Sequence, residues 1–198
     1  MEIKQIFFIL SVVVGFITQG IGIWAVLKGN FRPQRTTRFI YFLMGVVVVG
    51  TLVAQKSWDS LGFALAQNIC GMIIFGLSFK YGVGGFAKFD LITLFGAGVA
   101  GFIWITTGDP TKALLFGILT DAIAFLPTLK KIWVWPRSEE WRFYASDVMA
   151  SSFSYLSLRR MSVGDLAYPV YIFGLNVVAM VLILMRRKVV KNIKRYNG

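Results

Sequence analysis

The chain has 198 residues, of which 57% are hydrophobic and 15% are charged, and its mean hydropathy is +0.69. This composition is more apolar than one soluble core of this size can bury, so it excludes an ordinary soluble domain and indicates a polytopic membrane protein. The net charge of +12 does not indicate a nucleic-acid partner, because the basic residues gather at the ends of apolar segments, as they do in membrane proteins.

Seven apolar segments are predicted to be transmembrane helices. A helix needs roughly 20 mostly apolar residues to cross the hydrocarbon of a bilayer. In chain order the segments are residues 5–27, 38–55, 60–79, 91–107, 113–129, 142–158 and 166–185. The fourth segment is short and rich in glycine, and the sixth is the most polar. The predicted fold class is therefore an all-α membrane protein with seven transmembrane helices.

The basic residues predict how these helices are oriented in the membrane. Sixteen of the 21 Lys and Arg residues lie after the first, third and fifth segments and in the C-terminal tail, and five lie on the other side. Loops that stay in the cytoplasm carry the excess of Lys and Arg. We therefore expect the N-terminus outside and the C-terminus in the cytoplasm. The small chain fits an integral protein of a bacterial inner (plasma) membrane.

The sequence contains a weak internal repeat. Sliding it by about a hundred residues superposes five pairs of landmarks in the same order. The pairs are Thr18 with Thr120, Gln19 with Asp121, Pro33 with Pro136, Tyr41 with Tyr144, and Asn68 with Asn176. Two copies of a three-helix unit can share one orientation only if a further helix lies between them. The predicted organisation is 3+1+3: a first repeat at 1–82, a linker helix at 83–110, a second repeat at 111–186 and a basic cytoplasmic tail at 187–198.

This arrangement resembles the SWEET and PQ-loop (MtN3/saliva-like) transporter superfamily. The residues that carry the resemblance are Pro127-Thr128, Lys130-Lys131, Pro136, Glu139 and the paired Asn68 and Asn176. In that superfamily a Pro-Gln pair lies near the cytoplasmic end of the first helix of each repeat, and here Thr128 stands in the place of Gln. The resemblance implies alternating access, with an Asn of each third helix facing the solute. The architecture also resembles the PnuC-type nicotinamide riboside transporters.

Several residues are candidates for contact with a solute. Asn68 and Asn176 lie at the middle of matching segments, where they would bind hydroxyl or carbonyl groups across a cavity or join helices as structural amides. Asp121 lies well inside the fifth segment, where an unpaired charge is costly. It is predicted either to face the cavity and couple transport to protons, or to make a structural hydrogen bond. Gln19 is its neutral counterpart.

The remaining candidates are aromatic, small polar or conformational. Trp24 and Tyr155 offer stacking surfaces, and Ser151 is a small polar residue of the sixth segment. Pro127 removes a backbone donor and is interpreted as a hinge or as a static kink. Asp147 lies near the cytoplasmic end of the sixth segment and is interpreted as half of a gate ion pair with a basic residue, or as a plain interfacial pair.

The sequence indicates a transporter and not an enzyme. It contains no His and one Cys, so His-based catalysis, a His metal site and a thiolate cluster are excluded, and no cofactor is predicted. The predicted function is alternating-access transport of a small polar, sugar-like solute across the lipid bilayer. The alternatives are a non-transporting receptor or assembly protein on the same scaffold and a PnuC-like vitamin or nucleoside transporter. Proton coupling and a homo-oligomeric state stay open.

Overall fold

The protein is described by a computed structural model that covers residues 2–83, 95, 98, 99, 102 and 105–196, with side chains as far as residue 189. Within these residues the chain forms six α-helices, one short 3-10 helix at Pro136–Ser138 and no β-strand. The α-helices are α1 (Ile3–Leu27), α2 (Arg35–Ala54), α3 (Trp58–Tyr81), α4 (Pro110–Val134), α5 (Trp141–Ser157) and α6 (Val163–Tyr196).

The described helices confirm an all-helical membrane protein. Five of them, namely α1, α2, α3, α4 and the Val163–Val189 part of α6, are long and apolar enough to cross a membrane. α5 is outside this group because it has 17 residues, many of them polar, as its sequence led us to expect. The predicted fourth segment at 91–107 falls largely outside the described residues. α6 continues as helix to Tyr196, through most of the residues predicted to form the basic tail.

Local sequence signals explain where α4 begins. Asp109 precedes Pro110, and its carboxylate accepts hydrogen bonds from the backbone N–H groups of Thr111 (2.9 Å) and Lys112 (3.2 Å). Such a cap satisfies amides that have no partner inside the helix, and proline fits the first helical position. The bond from the Lys112 backbone is the main reason why the pKa of Asp109 lies below its usual value.

Contacts at one end of the bundle, which we call the basic end, show which helix termini meet there. Lys131 near the end of α4 donates to the Arg32 carbonyl in the α1–α2 loop at 2.7 Å. Arg186 of α6 donates to the Trp133 carbonyl at 3.0 Å. α1, α4 and the apolar part of α6 therefore all finish at the basic end.

The opposite end gathers the starts of the same helices. Lys4 of α1 donates to the carbonyl of Leu158, just after α5, at 2.7 Å. Thr111, in the first turn of α4, lies 3.5 Å from the Gln55 side chain at the end of α2. Ser60, at the start of α3, donates to the Asp165 carbonyl of α6 at 3.3 Å. α1, α3, α4 and α6 therefore run one way, and α2 and α5 run the other.

The helices pack as a closed ring. α1 contacts α3 and α5, α2 contacts α3 and α4, and α6 contacts α4 and α5. The order around the ring is therefore α1, α3, α2, α4, α6, α5. If α1, α2 and α3 are exchanged with α4, α5 and α6 in that order, the same pairs of helices are in contact. The two groups of three helices are therefore arranged in the same way, and they point in the same direction.

Two glycines of α1 test the close approach of α1 to α5. A Cβ at Gly22 would lie 2.8 Å from the Phe143 ring and 3.2 Å from Ile74, whereas a Cβ at Gly20 would meet nothing within 4 Å. We expect Gly22→Ala to lower the free energy of unfolding in detergent micelles by about 1–3 kcal/mol, as overpacked cores do. Gly20→Ala should leave it unchanged or raise it by up to about 1 kcal/mol. Equal effects would contradict this packing.

Candidate functional site

A cavity of about 120 Å³ lies inside the ring and is lined by residues of all six helices. A water molecule needs roughly 10–15 Å³ of such volume, so the cavity has room for several waters or a small solute. Asn68, Asp121 and Asn176 all line it, and each lies near the middle of an apolar helix. The cavity therefore occupies the central part of the membrane-spanning bundle.

Residues at matching positions of the two halves meet on the cavity wall. Four such pairs line it: Gln19 with Asp121, Tyr41 with Tyr144, Asn68 with Asn176, and Met44 with Asp147. The members of the last pair match because each comes three residues after the tyrosine of its own half. The sequence landmarks thus come together on one surface, although they are about a hundred residues apart along the chain. Each predicted Asn faces the same cavity as its counterpart.

A chain of hydrogen bonds crosses one side of this cavity. Asp147 is buried, and its Oδ1 accepts from the Gln67 amide while its Oδ2 accepts from the Asn176 amide at 2.9 Å. The Gln67 oxygen accepts in turn from the amide of Gln19. Asn176 also donates to the Ile172 carbonyl at 2.8 Å. These bonds connect α1 and α3 of one half with α5 and α6 of the other.

The environment of Asp147 corrects its predicted role as half of a gate ion pair. None of the ion pairs among the described side chains includes Asp147. Its carboxylate is held by amides, which satisfy a buried acceptor without a second charge. The residue is therefore part of the cavity wall and of the link between the halves.

Asp121 makes a hydrogen bond and also lines the cavity. Its Oδ2 accepts from the hydroxyl of Tyr171 on α6. A structural hydrogen bond and a position facing the cavity are therefore compatible at Asp121. Oδ2 makes the hydrogen bond, and among the described residues Oδ1 has no protein donor. Its counterpart Gln19 is buried, and within the described part of the chain the Gln19 Oε1 atom has no hydrogen-bond partner.

Asn68 lies flat against α2. Its amide donates to the Phe42 carbonyl at 3.2 Å. A Cβ at Gly45 would overlap that amide, so glycine is needed there for α2 and α3 to approach each other. Asn68 also lines the cavity.

Three predicted contact residues lie elsewhere. Trp24 is 54% exposed and Tyr155 is 41% exposed, and both are outside the cavity lining, on the outer face of the bundle. Ser151 is fully buried, and its hydroxyl donates to the Asp147 carbonyl of its own helix at 2.7 Å. These placements give none of the three a contact with the cavity. Pro127 lies inside α4, which continues to Val134, and its neighbour Thr128 lines the cavity.

Several residues of the cavity wall were not predicted from the sequence. Gln67 and Tyr171 are the nearest partners of the two aspartates, and Arg38 lines the cavity where α2 begins. The Arg38 guanidinium lies 5.0 Å from the Phe31 ring centroid and 5.7 Å from that of Tyr41. One signal was available for Gln67, because two adjacent amides in the middle of an apolar helix are unusual.

A buried ion pair closes the basic end next to the cavity. The Glu139 carboxylate is fully buried and lies 2.5 Å from the Lys131 ammonium. It also accepts a hydrogen bond from the Tyr144 hydroxyl at 2.8 Å. Arg187 of α6 donates to the Glu139 carbonyl at 2.6 Å. Since Lys131 also binds the Arg32 carbonyl, this cluster holds the second half against the α1–α2 loop.

Comparison with known proteins identified no relative. The chain matches no family model, no curated protein and no solved structure. Its function is therefore inferred from its own residues, and the central cavity is the feature that bears on it most.

Proposed function

We propose that this protein transports a small polar solute across the membrane by alternating access between α1–α3 and α4–α6. The observation that carries the proposal is the central cavity, which matched polar residues of both halves line. Buried polar groups without partners are costly, and the cavity wall includes two of them among the described residues, Gln19 Oε1 and the Tyr41 hydroxyl. A polar occupant would satisfy both groups.

The proposal includes the 3+1+3 architecture that the SWEET and PQ-loop superfamily has. Two facts support it: the halves point in the same direction, and the connection between them begins and ends at opposite ends of the bundle. Val83 pairs with Gln34 at the basic end, whereas Asp109 caps α4 at the other end. Parallel repeats with the solute bound between them are a recurring plan of membrane transporters.

In this scheme each end of the bundle opens in turn. The Lys131–Glu139 cluster closes the basic end. Arg160, which lies 3.4 Å from Asp165, belongs to the closure of the opposite end. Pro127 in α4 is the hinge of the second half. In this proposal the protein lies in a bacterial inner membrane, with the basic end facing the cytoplasm and the N-terminus outside, as the distribution of Lys and Arg favours. Asp121 is the residue at which proton coupling would act.

The test is uptake by the purified full chain in proteoliposomes. Radiolabelled sugars, nucleosides, amino acids and amines are offered one class at a time. We expect uptake of one class, reduced at least tenfold by Asn68→Ala and by Asn176→Ala. The matched controls are Ile69→Ala and Val178→Ala, exposed neighbours on the same helices, which should retain uptake. If no class is taken up, or if both Asn variants transport normally, the proposal is wrong.

A further inference from the structure

The two halves differ in charge where they line the cavity. At matched positions the first half carries the neutral Gln19 and Met44, and the second half carries Asp121 and Asp147. Of the described residues that line the cavity, these two carry carboxylates and Arg38 carries a guanidinium. None of the ion pairs among the described side chains includes Arg38. With both carboxylates ionised, the wall has one negative charge in excess, which either a proton on one of them or a positively charged solute would remove.

An uncompensated charge inside the membrane is costly. A solute that carries one positive charge would remove the excess, whereas a neutral or zwitterionic solute would not. The charge of the wall therefore distinguishes among solute classes that the amides alone would accept equally well.

The direction of the hydrogen bonds also favours a positively charged solute that donates hydrogen bonds. An ionised carboxylate can only accept, so Asp147 fixes the Gln67 amide with its NH2 group toward the carboxylate and its oxygen toward Gln19. Gln19 must then give its NH2 group to Gln67, which leaves Gln19 Oε1 without a donor. Gln19 is 4% exposed and lines the cavity, so we assign the missing donor of this oxygen to an occupant of the cavity.

Of the other free oxygens of the wall, the Tyr41 hydroxyl can accept or donate, and the free oxygen of Asp121 is an acceptor when ionised. Asp121 uses Oδ2 for Tyr171, and among the described residues its Oδ1 has no protein donor. Aromatic rings complete the wall: Tyr41, Phe42, Phe125, Phe143, Tyr144 and Tyr168. The faces of such rings attract cations. The cavity wall thus combines acceptors, carboxylates and aromatic rings.

From this geometry we propose that the solute is a small organic cation with N–H donors, a protonated amine held by Asp121, Asp147 and Gln19 Oε1. This inference rests on the proposed transport function and names its solute class. The ammonium group would lie on the α4–α6 side of the cavity, between the two carboxylates and the Gln19 oxygen.

The experiment uses radiolabelled ethanolamine at pH 7 and the full chain in proteoliposomes, with protein-free liposomes as the baseline. Unlabelled ethylene glycol, a neutral molecule of similar shape, and β-alanine, a zwitterion, are the competitors. We expect ethanolamine uptake above the baseline, and we expect each competitor to be at least tenfold weaker than unlabelled ethanolamine. If ethylene glycol or β-alanine competes as well as ethanolamine, the cation inference is wrong.

Two variants test the acceptors separately. Asp121→Asn keeps the shape of the side chain and an oxygen for Tyr171, and Gln19→Leu removes the unpartnered oxygen. Each should lower ethanolamine uptake at least tenfold, while Leu119→Ala, an exposed change on the same helix, should not. Monodisperse elution and an unchanged unfolding temperature establish that a variant is folded, and unchanged uptake in both folded variants contradicts the proposal.

The results also distinguish a failure of the cation inference from a failure of the proposed transport function, on which the inference rests. If a neutral solute is taken up in an Asn68-dependent manner while ethanolamine is not, the transport function stands and the cation inference falls. If no solute of the four classes is taken up, both fall together.

Discussion

Replacing Asp147 with alanine should destabilise the protein by about 3 kcal/mol and reduce solute uptake to the level of protein-free liposomes. The substitution removes an acceptor of the buried Asn176 amide and of the half-buried Gln67 amide. A buried donor left without a partner costs about 1–3 kcal/mol. Uptake is lost because the amides that shape the cavity wall would turn toward other partners. The measurements are unfolding in mixed micelles and uptake in proteoliposomes.

Two further variants define how specific this effect is. Asp147→Asn keeps one acceptor oxygen, so its loss of stability should be smaller than that of the alanine variant. Met149→Ala changes a side chain of the same helix that is 54% exposed and should transport normally. A stable, fully active Asp147→Ala protein would show that the hydrogen-bond chain from α1 to α6 does not hold the cavity.

Replacing Glu139 with alanine should have the largest effect on stability at the basic end. Glu139 is fully buried, so little water screens its ion pair with Lys131. Removing one partner of a buried pair costs about 3–5 kcal/mol, because the other charge is left uncompensated. The Tyr144 hydroxyl would lose its acceptor as well. We expect a decrease in the free energy of unfolding of that size, measured in the same micelles.

The neighbouring Glu140 is a matched control for Glu139. Its carboxylate accepts from the Arg142 backbone N–H at 3.2 Å and caps α5, so Glu140→Ala should cost only about 1 kcal/mol. The double variant Lys131→Met, Glu139→Leu should recover part of the stability, since it removes both charges together. A Glu139→Ala protein as stable as Glu140→Ala would show that the ion pair contributes nothing.

The helices could be predicted from the sequence because their signal is local. The apolar runs predicted five of the described helices to within a few residues, apart from the extension of α6. The polar α5 was predicted with the support of the repeat. Most of its serine hydroxyls donate to carbonyls of α5 itself, which hydropathy does not take into account. The matched pair Asn68 and Asn176 was identified from register alone, and both residues line the cavity.

The details of the cavity could not be predicted, because they depend on contacts between helices that are distant in sequence. Asp147 was expected to pair with a basic residue, but its partners are amides from α3 and α6. Trp24 and Tyr155 were candidates for contact with a solute, but both lie outside the cavity lining. The sequence does not distinguish the two positions, since lipid and a cavity accept aromatic side chains equally. Whether a side chain faces the cavity or the lipid depends on the order of the helices around the ring, and no local sequence pattern encodes that order.

The central claim is that water and solute reach the cavity between the two halves, and cysteine labelling tests it most directly. In a Cys70→Ala background, Met44→Cys and Gly117→Cys place thiols on the cavity wall, and Val46→Cys places one on the outer face, where Val46 is 52% exposed. In membranes, we predict that a charged, water-soluble thiol reagent labels positions 44 and 117 and leaves position 46 unlabelled. Labelling at 46 with none at 44 and 117 would contradict the account.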